Sequence, residues 1–374
     1  MFPTVLQVLP ALNAGGVERG TLEIAAAVVA AGGRALVASA GGRLVPALEA
    51  LGARHFTLPL DRKLAIWSNG AALARLARAE GVAIIHARSR APAWSAWRAA
   101  RLSGARFVTT WHGTYNENVP GKRLYNSVMA RGERVIAISG FIRDHIIARH
   151  PTAPIRLIPR GVEAALFDPD AVSPARVAAI RMAWGGPGQV VLLPARLTRW
   201  KGQAVLIDAL GRLPQPPLAV LLGDGRASYA TELRALAAAR GVRLVLAGHV
   251  ADMPAALLAA DVIVHASTDA EAFGRVVIEA QAMRRPVIAS DLGGPRQTVE
   301  HGVTGWLTPA GDAAALTARL AMVLSMTHDA RATVGPRPAP PCWPASPPRR
   351  CRRRRSKSIV SWREHPGHQA RCAG

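Results

Sequence analysis

Apolar residues along the chain come in short runs separated by glycine-marked turns and amphipathic stretches. Val5-Leu6-Gln7-Val8-Leu9 is a β-prone run; Gly15-Gly16 follows, and a helical pattern extends from Val17 to about Ala31. Ala35 to Ala40 reads as a strand and Leu44 to Leu51 as a helix. Ile84-Ile85-His86, Phe107 to Thr110 and Val135 to Ile138 read as further buried strands. A second series starts near Val190, with strands at Val190–Leu193, Ala219–Leu222, Leu244–Ala247, Val262–His265 and Pro286–Ser290. Helices at about Gln203–Leu213 and Thr231–Arg240 lie between them. Strands alternating with helices predict parallel βαβ units. Two series, linked near Arg160 to Pro174, predict two doubly wound domains, 1–165 and 166–330. Ligands of such sheets bind beyond the carboxyl ends of the strands, so a cleft between two facing sheets is the expected site.

Composition narrows the class. Half of the 374 residues are apolar. Yet the run from Ile24 to Ala31 stops at Gly32-Gly33, well short of the roughly 20 residues that span a bilayer. The first ten residues lack the basic start and cleavage site of a signal peptide, so a soluble cytoplasmic protein is expected. The cysteines are Cys342, Cys351 and Cys372, which excludes a disulfide-built body and any C-x-x-C metal spacing.

The net charge of +23 is uneven. Residues 331–374 hold eleven Lys/Arg and one acid, Glu364, which leaves +13 on the body. Seven prolines lie between Gly335 and Pro348, and Arg349 to Arg355 is almost all arginine. Neither apolar period is present, so 331–374 is expected to be a disordered tail. A basic tail can bind nucleic acid. The abrupt change of composition is better explained by a reading-frame shift near residue 330 that replaced closing helices, which resequencing the gene would test.

Three segments carry candidate chemistry. Gly15-Gly16-Val17-Glu18-Arg19-Gly20 joins the first strand to the first helix. Glycines there let the backbone approach a phosphate at a helix start, or simply make a tight turn. Pro194 to Gly202 is the matching loop of the second series. Its Arg196 and Lys201 are placed to clamp a diphosphate, the alternative being two solvated charges. In Glu271-Ala272-Phe273-Gly274-Arg275-Val276-Val277-Ile278-Glu279 a helix opens near Gly274 with carboxylates on both sides. These suit sugar and ribose hydroxyls, or else are a surface glutamate and a buried, paired one. Asp168-Pro169-Asp170 matches a D-x-D metal motif in letters only, because it does not lie at a strand end. Gly223-Asp224-Gly225 lacks the third glycine of a dinucleotide fingerprint.

The E-x7-E pattern in this setting resembles the retaining glycosyltransferases of family 4. Gly15 to Arg19, Trp111-His112-Gly113, Ala137-Ile138-Ser139 and Ile158-Pro159-Arg160-Gly161-Val162 resemble that family's segments in order. So do Arg196 with Lys201-Gly202, Gly248-His249-Val250, Ser290 to Gly294 and Gly302 to Leu307. The resemblance covers residues 1 to about 328. It implies an α/β GT-B fold: two doubly wound Rossmann-like domains with the active site in the cleft between them. Glu279 would hold the ribose hydroxyls, and Glu271 the donor sugar. Backbone groups of Phe273 and Gly274 would meet the sugar, and Val250 would lie beside the base. Arg196, Lys201 and the Gly15-Gly16 loop would stabilise the diphosphate, and His112 would sit at the reaction centre. No metal or other cofactor is expected; a nucleotide-sugar donor serves as co-substrate.

The implied activity is retaining transfer to a glycan or lipid-linked acceptor in envelope polysaccharide or lipopolysaccharide synthesis. No nucleic acid partner is expected. The rivals are an epimerase-like enzyme of the same fold and a nucleic-acid-binding protein acting through the tail. Trp94, Trp97, Arg98 and Arg101 fall near one helical face, with Lys122, Arg123, Arg131 and Arg134 in the same domain. Aromatics with arginines suit peripheral contact with the inner face of a membrane, the alternative being core tryptophans with solvated arginines.

Overall fold

The computed structural model describes residues 2–13, 15–327, 330, 331 and 334, with Lys63 described by its backbone alone. The chain divides into two compact units between Arg160 and Gly161, five residues before the boundary expected from sequence. Each unit is built on one parallel sheet.

The first sheet has strands β1 (Val5–Val8), β2 (Ala35–Ser39), β3 (Arg54–Thr57), β4 (Ile84–Ala87), β5 (Arg106–Trp111), β6 (Arg134–Ala137) and β7 (Ile155–Leu157). Their order is β3-β2-β1-β4-β5-β6-β7. The second has β8 (Val190–Pro194), β9 (Leu218–Leu222), β10 (Leu244–Gly248), β11 (Val262–His265), β12 (Val287–Ser290) and β13 (Trp306–Thr308), in the order β10-β9-β8-β11-β12-β13. The central strands are near-continuous apolar runs because helices cover both faces of a parallel sheet; β1, β2, β4, β9 and β11 are buried at every position, including Gln7, His86 and His265. β3 and β7 were not expected from sequence. They are short edge strands, half-exposed, and carry almost no apolar pattern.

Strand order reverses between β1 and β4 in the first sheet and between β8 and β11 in the second. At such a switch point neighbouring loops diverge and leave a crevice at the carboxyl ends of the strands. The loop after β8 carries Arg196 and Lys201, and the loop after β11 carries Glu271. In the first sheet the loop after β1 carries Gly15-Gly16. Within the second sheet, the loops after β8 and β11 are pressed together rather than splayed. Gly202 (φ 74°) caps the helix Gln203–Leu210, and a Cβ there would lie 1.8 Å from the carbonyl oxygen of Ala266. The Thr268 N–H donates to the Trp200 carbonyl at 2.8 Å, tying the two loops.

The second unit's core lies on both faces of its sheet, and the helix Ala313–Ser325 adds Leu316, Leu320 and Val323 to one of them. Most of the expected tail lies outside the described residues. Its first residues pack on the second unit: Val334 joins that core, and Arg331 Nη1 is 3.5 Å from Asp261 Oδ1. Among the described residues no helix is long and apolar enough to cross a membrane.

Candidate active site

At the switch point of the second sheet, Glu271 is the centre of a charged cluster. Its Oε2 accepts from Lys201 Nζ at 2.6 Å and from His265 Nε2 at 2.5 Å, with Ser267 Oγ donating at 3.3 Å. Lys201 also stands 4.2 Å from the centroid of the Trp200 ring. Both ionic side chains are largely withdrawn from water, Lys201 at 12% exposure and Glu271 at 23%. The Glu271 carboxyl is held well below its ordinary value: burial alone would raise it, and His265 and Lys201 outweigh burial. Glu271 is held by its backbone as well. It bridges to Gly293, and its carbonyl accepts from the Gly294 N–H at 2.7 Å.

The same loop runs through Phe273, whose side chain is buried, to Gly274 (φ 75°), which caps the helix Arg275–Ala282. The open N–H groups of that first turn carry the positive end of the helix dipole. Glu279 lies one turn along, 8% exposed, with its carboxylate 3.4 Å from Arg275 Nε. That is the geometry of a buried, paired glutamate, and it places the carboxylate on the same helix as Gly274. The Arg196 side chain is exposed, while its carbonyl accepts from the buried Gln203 Nε2 at 2.8 Å. Val250 is half-buried against the core, at the end of β10.

In the first unit, Gly15 (φ 136°) caps the helix Gly16–Ala30. His112 directly follows β5. Its Nδ1 accepts from Arg160 Nη2 at 2.7 Å, and Arg160 Nη1 donates to the Gly16 carbonyl at 2.5 Å. So one buried guanidinium joins the glycine loop and the histidine loop. The chain after His112 is fastened by Tyr115, which stacks on Trp111 with centroids 4.4 Å apart and donates its N–H to His145 Nε2 at 3.2 Å. Of the residues noted for an acceptor, Trp97, Arg101 and Arg131 line one groove of about 380 Å3 with Arg106. Arg131 lies over both Trp94 and Trp97; Arg98 instead packs on Trp67.

Asp168 caps its own turn and Asp170 pairs with Arg284. Among the described residues no group of three or more His, Cys, Asp or Glu side chains is arranged to hold a metal ion. Sequence reasoning missed His265, Ser267 and Arg160 as site residues. For His265 a signal was present, since a polar residue closing a fully buried strand sits where ligands of such sheets bind.

Residues 14–166 match the family model described as Glycosyltransferase Family 4, and residues 183–335 match Glycosyl transferases group 1. A glycosyltransferase crystal structure from Rickettsia africae is 30% identical with a TM-score of 0.84, covering 98% of this chain and 100% of that one. The chain belongs to the family 4 glycosyltransferases. Its fold is GT-B. A second solved structure, Alr3699/HepE from Anabaena in complex with UDP and glucose, is 26% identical with a TM-score of 0.79, covering 96% and 98%. A D-inositol 3-phosphate glycosyltransferase from Jonesia denitrificans is 35% identical over 41% of this chain, and the match spans only 39% of that relative's length.

The low carboxyl value at Glu271 has a signed consequence. Its folded value lies below the ordinary 4.5. The ionised cluster therefore contributes stability above the unfolded-chain value, and that stability is lost as pH falls through the folded one. A Glu271→Gln variant should lose less stability than wild type between about pH 5 and pH 3 in urea titrations. Equal pH slopes would contradict the ionised cluster.

Proposed function

We propose that the chain transfers a sugar, with retention of anomeric configuration, from a nucleotide-sugar donor to a glycan or lipid-linked acceptor of the cell envelope. The observation that carries this is the Lys201–Glu271–His265 cluster at the switch point of the second sheet. A donor presents two things there: a diphosphate that needs cations, and sugar hydroxyls that need acceptors. Lys201 has three N–H donors, so it can keep Glu271 and still meet a phosphate oxygen. Glu271, ionised and fixed, accepts from the sugar hydroxyls. Without Lys201 and His265 its charge would repel the diphosphate.

In the proposed step the bond between the anomeric carbon and the β-phosphate oxygen breaks, and the acceptor oxygen forms its bond from the same face. The acceptor's proton passes to the departing phosphate oxygen. Arg196 and Lys201, with the helix start at Gly274, offset the charge that develops on that oxygen. Phe273 and Gly274 contribute backbone groups to the sugar, Glu279 accepts from the ribose, and Val250 borders the base. No metal is assigned, because fixed cations supply the positive charge. UDP and glucose in the Anabaena structure support a sugar-nucleotide donor. The inositol phosphate named for the Jonesia relative supports an acceptor carrying a phosphate.

Incubation with a panel of UDP-, GDP- and ADP-sugars, with and without a chelator, tests this proposal. One donor should be consumed at the same rate in both conditions. An Arg196→Ala or Lys201→Ala change should lower its turnover by about 100-fold or more. Consumption that requires added metal, or variants as fast as wild type, would contradict it.

The same proposal sets the acceptor side against an anionic membrane surface, through the groove of Trp97, Arg101, Arg106 and Arg131. Guanidinium groups held over indole rings stay charged while the rings enter the headgroup layer. An Arg101→Ser/Arg131→Ser variant should bind phosphatidylglycerol vesicles roughly 30-fold more weakly, at about 1 kcal/mol per arginine. Binding that is unchanged, or equal on phosphatidylcholine, would sink the membrane assignment.

A further inference from the structure

Arg160 is 4% exposed, although arginine is among the residues least often buried. Space is made for it. A Cβ on Gly20 would lie 3.2 Å from Arg160 Nη1 and 2.8 Å from Nη2 of Arg88, another buried arginine, whose Nη1 donates to Gln7 Oε1 at 3.0 Å. Gln7 Nε2 in turn donates to the Thr21 carbonyl at 3.0 Å. The helix Gly16–Ala30 is thus shaped around two guanidinium groups and fastened to β1 beside them.

A guanidinium has five N–H donors and no acceptor. Where Arg160 Nη2 meets His112 Nδ1 at 2.7 Å, that nitrogen must therefore present its lone pair. A neutral imidazole carries its one proton on the other nitrogen, so the contact selects the Nε2–H tautomer. We propose that Arg160 is a positioning residue. It fixes His112 as a hydrogen-bond donor through Nε2, and in doing so removes His112 as a base toward the incoming acceptor.

Two consequences follow at this site, both resting on the sugar-transfer proposal. His112 offers the Nε2 proton to a ligand oxygen and abstracts none. The acceptor's proton must leave by another route, which agrees with its passing to the departing phosphate oxygen. Arg160 also holds the Gly16 carbonyl, so one side chain orients the glycine loop and the histidine together. Specificity for an acceptor atom on the donor, rather than rate by proton transfer, is what the residue provides.

The test reads the tautomer directly. Full-length protein with 15N-labelled histidine is examined by long-range proton–nitrogen correlation, with the His112 signal assigned by its loss in His112→Gln. Wild type should show the Nε2–H pattern; an Nδ1–H pattern overturns the proposal. Arg160→Met should admit the Nδ1–H form, whereas Arg160→Lys, which keeps a donor, should hold the wild-type pattern. An unchanged tautomer in Arg160→Met also overturns it. Should Arg160→Met fail to fold, the wild-type spectrum decides alone, the Nδ1–H pattern overturning the proposal. The Nε2–H pattern in a protein that consumes no sugar nucleotide would refute the transfer proposal and leave the Arg160 assignment standing.

Discussion

A carboxylate withdrawn from water remains ionised only if a cation or strong hydrogen-bond donors lie against it, and Glu271 has the Lys201 ammonium at 2.6 Å and the His265 ring at 2.5 Å. The arrangement of the second unit follows from keeping those three groups together. Lys201 is delivered by the loop after β8, His265 by the end of β11, and Glu271 by the loop beyond it. Adjacent parallel strands on either side of the switch point bring the three to one spot. The loops meet so closely that only glycine fits at 202, against the Ala266 carbonyl. Breaking a buried pair by removing one partner typically costs about 3–5 kcal/mol. The cluster is thus as much a structural constraint on these loops as a binding feature.

The first unit solves a related problem with the charge reversed. Its switch point holds buried arginines, Arg88 and Arg160, in place of a carboxylate. Arg160 is satisfied by a ring nitrogen and a backbone carbonyl, so its charge is spread over polar groups that it orients. Each unit therefore fixes loops beyond the carboxyl ends of its parallel strands with a charged side chain. In the second unit the charge faces the proposed donor. In the first it stands behind His112 and Gly16.

Much of this was legible in sequence. The central strands are mostly apolar because both faces are covered, with single buried polar residues at Gln7, His86 and His265, so β1, β4, β8, β9 and β11 could be read directly. The edge strands β3 and β7, half in water, carry no such run. Glycines close to charged residues beyond strand ends marked the three loops, and E-x7-E marked the helix start at Gly274. What sequence could not give was partnership. Lys201 and Glu271 are 70 positions apart, and Arg160 lies 48 from His112 and 144 from Gly16. No local pattern encodes those contacts; the sheet order creates them. The pairing also changed the sense of the two glutamates. Glu271 lies against Lys201 and His265, and Glu279 is paired along its own helix with Arg275.

The central claim is that Lys201 holds diphosphate charge while Glu271 holds sugar. Calorimetric titration of UDP, GDP and ADP, lacking any sugar, separates the two roles. The nucleotide that binds wild type should bind Lys201→Met at least about tenfold more weakly, since a charge-assisted hydrogen bond is lost. Glu271→Gln, which removes a negative charge beside the diphosphate and leaves Lys201, should bind it as tightly as wild type or more so. Equal weakening in both variants, or no effect of Lys201→Met, would contradict the account.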